Sequence, residues 1–153
     1  MRRPRVGLMG MVLVLAAATP PASALPSKST PSNSEQAVSS FKEGYAHQKA
    51  ERYQEAIEAY EQSLKHDRRQ AEALSNIGFC YKSLGRYQKA VGYYKDALHL
   101  DPELAEAHEY LGEAYVAMGK LDLARREYET LVKLDPDEAE ELKRKIDRAS
   151  AAQ

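Results

Sequence analysis

From about Glu35 onward, small and apolar side chains recur with the spacing of helices. Leu74, Ile77, Gly78 and Tyr81 fall at i, i+3, i+4 and i+7, which puts them on one helical face. Tyr87, Ala90, Val91, Tyr94 and Leu98 mark the face of a second helix in the same way. Between the two, Leu84-Gly85-Arg86 supplies a glycine where the first helix must stop, because glycine enters the left-handed conformation without steric cost. Asp101-Pro102 ends the second helix, since the residue before a proline is pushed out of helical geometry. The aspartate is expected to cap the helix that follows.

This two-helix pattern returns at a fixed period. Gly44, Gly78 and Gly112 stand 34 residues apart, as do Ala56, Ala90 and Ala124, Tyr60, Tyr94 and Tyr128, and Asp67, Asp101 and Asp135. Four columns in register over three copies define repeats at 37–70, 71–104 and 105–138. The glycines and alanines remove side chains where two helices approach closely. The tyrosines are expected to fill the larger gap between one helix pair and the next. The third copy follows the same grammar through Leu111, Gly112, Tyr115, Gly119, Leu121, Ala124, Tyr128 and Asp135-Pro136. The first copy is the loosest: Glu43, His47, Glu51 and Arg68 stand where the others carry an apolar residue, a tyrosine, the turn glycine and a proline. Past the third copy, Leu142, Ile146 and Ala149 form one narrow stripe on a charged segment, with acids in its first turn and bases in its last. That segment, 137–150, reads as a capping helix over the open end of the stack, giving seven helices.

The N-terminal stretch is of another kind. Arg2, Arg3 and Arg5 precede an apolar run from Val6 to Ala18, and Ala22-Ser23-Ala24 follows, the order of a secretory signal peptide cleaved after Ala24. The run is 13 residues long, short of the roughly 20 that a membrane span needs, so no stable membrane insertion is expected after cleavage. Leu25 to Ser34 is rich in proline and serine and reads as a disordered tether before a domain at 35–153. Removing Arg2, Arg3 and Arg5 leaves 19 basic and 23 acidic side chains, a net charge of −4 with histidine neutral. That balance makes nucleic acid a poor partner. Export favours disulfides in a small domain, yet Cys80 is the only cysteine, so stability must come from packing.

In the middle copy, Leu74-x2-Ile77-Gly78-x2-Tyr81, Ala90-x3-Tyr94 and Pro102 together resemble the tetratricopeptide repeat, with Leu74 in place of its usual tryptophan. The third copy has His108 at that place and Leu131 where a small residue is usual. The resemblance covers about two thirds of the chain. It implies an all-α fold, a right-handed α-solenoid of three helix-turn-helix repeats plus the C-terminal capping helix, serving as a non-catalytic scaffold.

The search for chemistry agrees with a scaffold. The sequence has no glycine-rich phosphate loop, no HExxH, no CxxC and no acid pair beside a plausible nucleophile. His47, His66, His99 and His108 form no i, i+4 ligand pair, so neither a metal nor a cofactor is expected. At 100° per residue, Phe79 lies nearly opposite the face of Leu74, Ile77, Gly78 and Tyr81. Tyr45 is its equivalent one repeat earlier, with Phe41 a turn before. In the family this side of the first helices lines a concave groove for a peptide or partner helix. The resemblance therefore implies an aromatic patch of Phe41, Tyr45 and Phe79, continued by Glu72, Ser75 and Lys82 and turning acidic at Glu106, Glu109 and Glu113. Such a groove calls for a protein or peptide with an apolar anchor and a basic segment. The family members that grip a C-terminal carboxylate use lysine, asparagine and arginine here; only Asn76 resembles that set, and the glutamates would repel such a ligand. An alternative is self-assembly into a homo-oligomer through the aromatic groove or the capping helix.

Overall fold

The computed structural model describes residues 31–152, so the leader and residues 25–30 of the expected tether lie outside it. The described residues form seven helices and no strand: α1 (Asn33–Lys49), α2 (Tyr53–His66), α3 (Ala71–Ser83), α4 (Tyr87–Leu100), α5 (Ala105–Ala117), α6 (Leu121–Leu134) and α7 (Pro136–Ala151). They pair as α1 with α2, α3 with α4 and α5 with α6, each pair packing on the next, and α7 lies against both α5 and α6. This is the helical solenoid that the 34-residue period implies.

The turns within the pairs share one geometry. The amides of Arg52, Arg86 and Lys120 donate to the carbonyls of His47, Tyr81 and Tyr115, closing each first helix with a six-residue loop. That loop needs one residue at positive φ, supplied by Gly85 (φ 72°) and Gly119 (φ 69°). In the loosest copy Glu51 takes the same position at φ 58°, where its Cβ crowds the following carbonyl.

The glycine column has a packing reason that corrects the expected role of the tyrosines. A Cβ at Gly44 would lie 2.7 Å from the Tyr60 ring, and one at Gly78 would lie 2.7 Å from the Tyr94 ring. The rings thus fill the glycine space inside their own helix pair, where any added carbon would collide. Tyr94 also reaches the next repeat, its ring 6.1 Å from that of Tyr110. At the third copy the pattern changes: a Cβ at Gly112 would meet Leu142 of α7 at 2.5 Å, while Tyr128 is only half-buried at the core's edge. With Leu131 filling the core below, the capping helix supplies the side chain that covers Gly112.

Tyr60 and Tyr94 are equally buried but differently satisfied. The Tyr60 hydroxyl donates to Gln48 Oε1 at 2.8 Å; the Tyr94 hydroxyl has no partner. Ser63, buried at the position of Ala97 and Leu131, donates to the Ala37 carbonyl at 2.6 Å. Cys80 is 0 % exposed, and burial pushes its thiol up to about 12, so it is neither reachable nor nucleophilic in the folded chain.

Helix ends show two further departures from expectation. Asp101 ends α4 but does not cap α5, which starts only at Ala105 after Leu104; its carboxylate accepts from the Glu103 amide inside the loop. Of the aspartate column Asp67, Asp101 and Asp135, only Asp135 caps the next helix, accepting from the amides of Asp137 and Glu138, with Pro136 in the first turn of α7. At the other end, α1 begins inside the Pro/Ser-rich segment. Ser32 and Glu35 form a reciprocal capping box that starts the helix at Asn33, and the Ser-x-x-Glu spacing that announces it is present in the sequence.

His108 occupies the place of Leu74 in the third copy. Its Nδ1 lies 2.8 Å from a Glu127 carboxylate oxygen and its Nε2 3.0 Å from the Pro102 carbonyl, tying α5 to α6 and to the preceding loop. Both partners are acceptors, so the ring satisfies both only as imidazolium. The hydrogen bond to Glu127 raises its pKa above the ordinary 6.5 against the opposing effect of burial.

Three stability measurements follow from these contacts. Tyr94→Phe removes an unsatisfied hydroxyl and is expected to raise stability by about 1 kcal/mol, whereas Tyr60→Phe strands Gln48 and should lower it by about the same amount; urea unfolding of the two variants would show opposite signs. Glu51→Gly relieves the left-handed backbone and, after the added entropy of the unfolded chain, should gain about 0.5 kcal/mol or more in the same assay. Because the folded pKa of His108 is raised, its contribution is complete below the unfolded value and is lost as pH rises through the folded one. Wild type should therefore exceed His108→Gln by about 1 kcal/mol at pH 5.5, with the gap closing by pH 9, as read from thermal melts across pH.

Candidate functional site

The face that could receive a partner is built from the first helices of the pairs, α1, α3 and α5, with α7 beside α5. In the stack α3 and α5 have neighbours on both flanks, so only a strip of their surface stays open, whereas α1 packs chiefly on α2. That constraint redistributes the residues singled out by sequence. Tyr45 is 48 % exposed, with Lys49 Nζ 5.5 Å from its ring centroid. Phe41 is half-buried and packs edge-on to Tyr60 at 5.3 Å. Phe79 is half-buried between Tyr53 at 6.4 Å and Tyr110 at 5.3 Å, against the cluster of Ile57, Tyr60 and Ile77. Among the described residues no ring contact joins Phe41 or Tyr45 to Phe79. Phe41 and Phe79 both pack against the cluster of Ile57, Tyr60 and Ile77 without touching each other ring to ring, and Phe79 owes its aromatic character partly to packing between repeats. Ser75, expected in the groove, is 1 % exposed with its hydroxyl unpartnered, so it presents nothing to a ligand. Glu72 and Glu106 are exposed; Lys82, Glu109 and Glu113 are half-buried.

At the N-terminal end of this face, a cavity of about 420 Å³ opens between α1 and α3. Ala37, Val38 and Phe41 give it an apolar wall; Lys42, Gln70 and Glu72 bring polar groups to it. Val38 is 54 % exposed, so an apolar side chain of a partner would gain contact there.

The C-terminal end is held by charge. Glu113 accepts from Lys82 through Oε2 and from Lys145 through Oε1, linking α3, α5 and α7. Burial works against its ionised form, but the hydrogen bonds from Lys145 and Lys82 outweigh that and hold its carboxyl below the usual range. Lys82 Nζ also lies 4.4 Å from the Tyr110 ring centroid and 5.3 Å from that of Phe79. Glu109 behaves oppositely. Burial, then the charges of Glu138 and Glu113, push it up to about 7 despite Lys145. The acidic end expected from Glu106, Glu109 and Glu113 is therefore weaker than three carboxylates suggest: one is paired with two lysines and one is partly protonated near neutrality.

Sequence reasoning passed over two of the groups that shape this end. Tyr110 shares its column with Lys42 and Asn76, so nothing marks it as an aromatic position. Lys145 belongs to the capping helix, outside the repeat, and no column predicts its reach to Glu113. The stripe of Leu142 and Ile146 does orient α7, and Lys145, adjacent to Ile146, lies beside that stripe. No group of three or more potential metal ligands lies together among the described residues.

Two family models described as tetratricopeptide repeat match the chain, one over residues 41–105 and one over 82–146. No curated protein matches it. Among solved structures, the first TPR of Spaghetti (RPAP3) bound to the HSP90 peptide SRMEEVD is 28% identical with a TM-score of 0.73, over 78% of this chain and 97% of that one. The first TPR domain of the human RPAP3 protein is 28% identical with a TM-score of 0.72, over 76% and 94%. The second TPR domain of human RPAP3, in complex with the HSP70 peptide SGPTIEEVD, is 29% identical with a TM-score of 0.69, over 73% and 95%. With the two models together covering residues 41–146 and the ring-over-glycine packing repeated inside them, this chain belongs to the tetratricopeptide-repeat family.

Proposed function

We propose that the chain is an exported, non-catalytic scaffold that holds a protein or peptide along the face of α1, α3 and α5, in the cell envelope of a bacterium. Export rests on the leader at 1–24. Peptide binding draws on the relatives, two of which carry bound peptides, SRMEEVD and SGPTIEEVD. The observation that carries the choice of ligand is the state of Lys82: its ammonium is already taken by Glu113, and Glu72 and Glu106 remain exposed on the same set of helices. An acidic tail of the kind bound by those relatives finds no free lysine on α3 and meets two uncompensated carboxylates. A ligand with an apolar side chain for the cavity at Val38 and Phe41, and a basic segment for Glu72 and Glu106, suits the face better. Self-assembly is the weaker reading, because α7 closes one end of the stack and turns Lys143, Arg144, Asp147 and Arg148 to solvent.

The test uses charge reversal at sites whose side chains are exposed, so that the fold is untouched. Glu72→Lys with Glu106→Lys is expected to weaken capture of the envelope partner by about tenfold or more, while Glu129→Lys on α6 leaves it unchanged; affinity purification with quantitative mass spectrometry reads both. Equal capture by all three proteins would place the binding surface elsewhere.

A further inference from the structure

The groups around Lys82 make more than an ion pair. The rings of Phe79 and Tyr110 lie 5.3 Å apart at an interplanar angle of 51°, and the Lys82 ammonium sits over both. The Glu113 carboxylate accepts from that ammonium and is itself steadied by Lys145 from α7. Two aromatic faces and a carboxylate converge on one point, drawn from α3 and α5. This is the chemistry that holds an ammonium or guanidinium group, because the negative ring faces and the ionised oxygen act together. The occupant is the chain's own residue, on a flexible four-carbon stem in the last turn of α3. Such a stem lets the ammonium leave the site when another cation takes over its contacts with Glu113 and the two rings.

We infer that Phe79, Tyr110 and Glu113 form a cation-binding subsite which Lys82 fills in the unbound protein and which a lysine or arginine side chain of the partner takes over. The inference deepens the scaffold reading and rests on it: it assigns the basic segment of the ligand to a named position. Arginine is the better competitor, since its planar group stacks on the rings and bonds a carboxylate through two donors. Lys82 then acts as an internal guard. It keeps the carboxylate paired while the site is empty and sets a threshold that only a well-matched cation exceeds. When displaced, its own charge moves outward toward the exposed carboxylates of the same face.

The test empties the subsite and offers it a simple cation. The capped tripeptide acetyl-Ala-Arg-Ala-amide is titrated into wild type, Lys82→Ala and Lys82→Arg, following the ring proton resonances of Phe79 and Tyr110; acetyl-Ala-Gln-Ala-amide is the neutral control. Half-saturation is expected at a concentration at least about tenfold lower for Lys82→Ala than for wild type. Lys82→Arg should stay like wild type or bind more weakly, and the control peptide should move neither ring. Adding Glu113→Gln to Lys82→Ala should remove the gain. Circular dichroism checks each fold, with Lys82→Gln as the substitute if Lys82→Ala does not fold. Equal titration of wild type and Lys82→Ala would overturn the inference and leave Lys82 a plain structural tie between α3 and α5, as would equal binding of the neutral peptide. Because the probe is a defined tripeptide, this failure is separate from failure to find a partner on the exposed face.

Discussion

The stack depends on a close approach of two helices made possible by a missing side chain. At Gly44 and Gly78 the ring of a tyrosine from the second helix of the same pair occupies the space that a Cβ would need. A ring buried in that way removes a large apolar area from water, and it does so only if the opposing helix offers backbone instead of side chain. The first two pairs are thereby held together by the same contact. Because Tyr94 extends to Tyr110, the same ring passes that geometry to the next pair. Packing of this kind, with Leu142 of α7 standing in at Gly112, holds the helices in order with no disulfide and no metal ligand cluster among the described residues.

Where the repeat deviates, the structure finds substitutes instead of abandoning the geometry. The first copy lacks a turn glycine, and Glu51 accepts the left-handed conformation because the loop from His47 to Arg52 still closes. It also carries His47 in place of tyrosine, and the histidine Nδ1 accepts from Arg52 Nε at 3.0 Å. The third copy has no further pair behind it, so α7 delivers Leu142 to Gly112. These replacements share a feature: each keeps the backbone path and changes only the group that supports it.

The binding face is a consequence of the same stacking. Its N-terminal part is a cavity with an apolar wall from α1, while its C-terminal part is tied by Lys82, Glu113 and Lys145. An internal ion pair of this kind contributes little net stability, since its attraction is offset by desolvation and side-chain ordering. What it does determine is which charges of the groove are available. With two lysines turned inward, Glu72 and Glu106 stay exposed, Lys42 stands beside Glu72 at the cavity, and a raised Glu109 softens the far end.

The period, the turn positions, the ends of α4 and α6 and the capping helix were legible in the sequence, because each rests on local chemistry: apolar spacing, glycine at positive φ, and the residue before proline. The helix start at Asn33 was legible too, through the Ser32 and Glu35 pair, although the surrounding prolines and serines argue for a tether. Side-chain neighbours across helices were not legible. Nothing in the column of Lys42, Asn76 and Tyr110 says that the last will lie on Phe79, and no periodicity connects Lys145 with Glu113. Helical spacing assigns a side chain to a face, but in a stack each face is divided between a buried flank and an open strip by the neighbouring helices. Thus Ser75 was placed inside, Phe41 was set on Tyr60 and Phe79 on Tyr110, and Lys82 was set on two rings and a carboxylate by packing alone, which acts between residues distant in the chain.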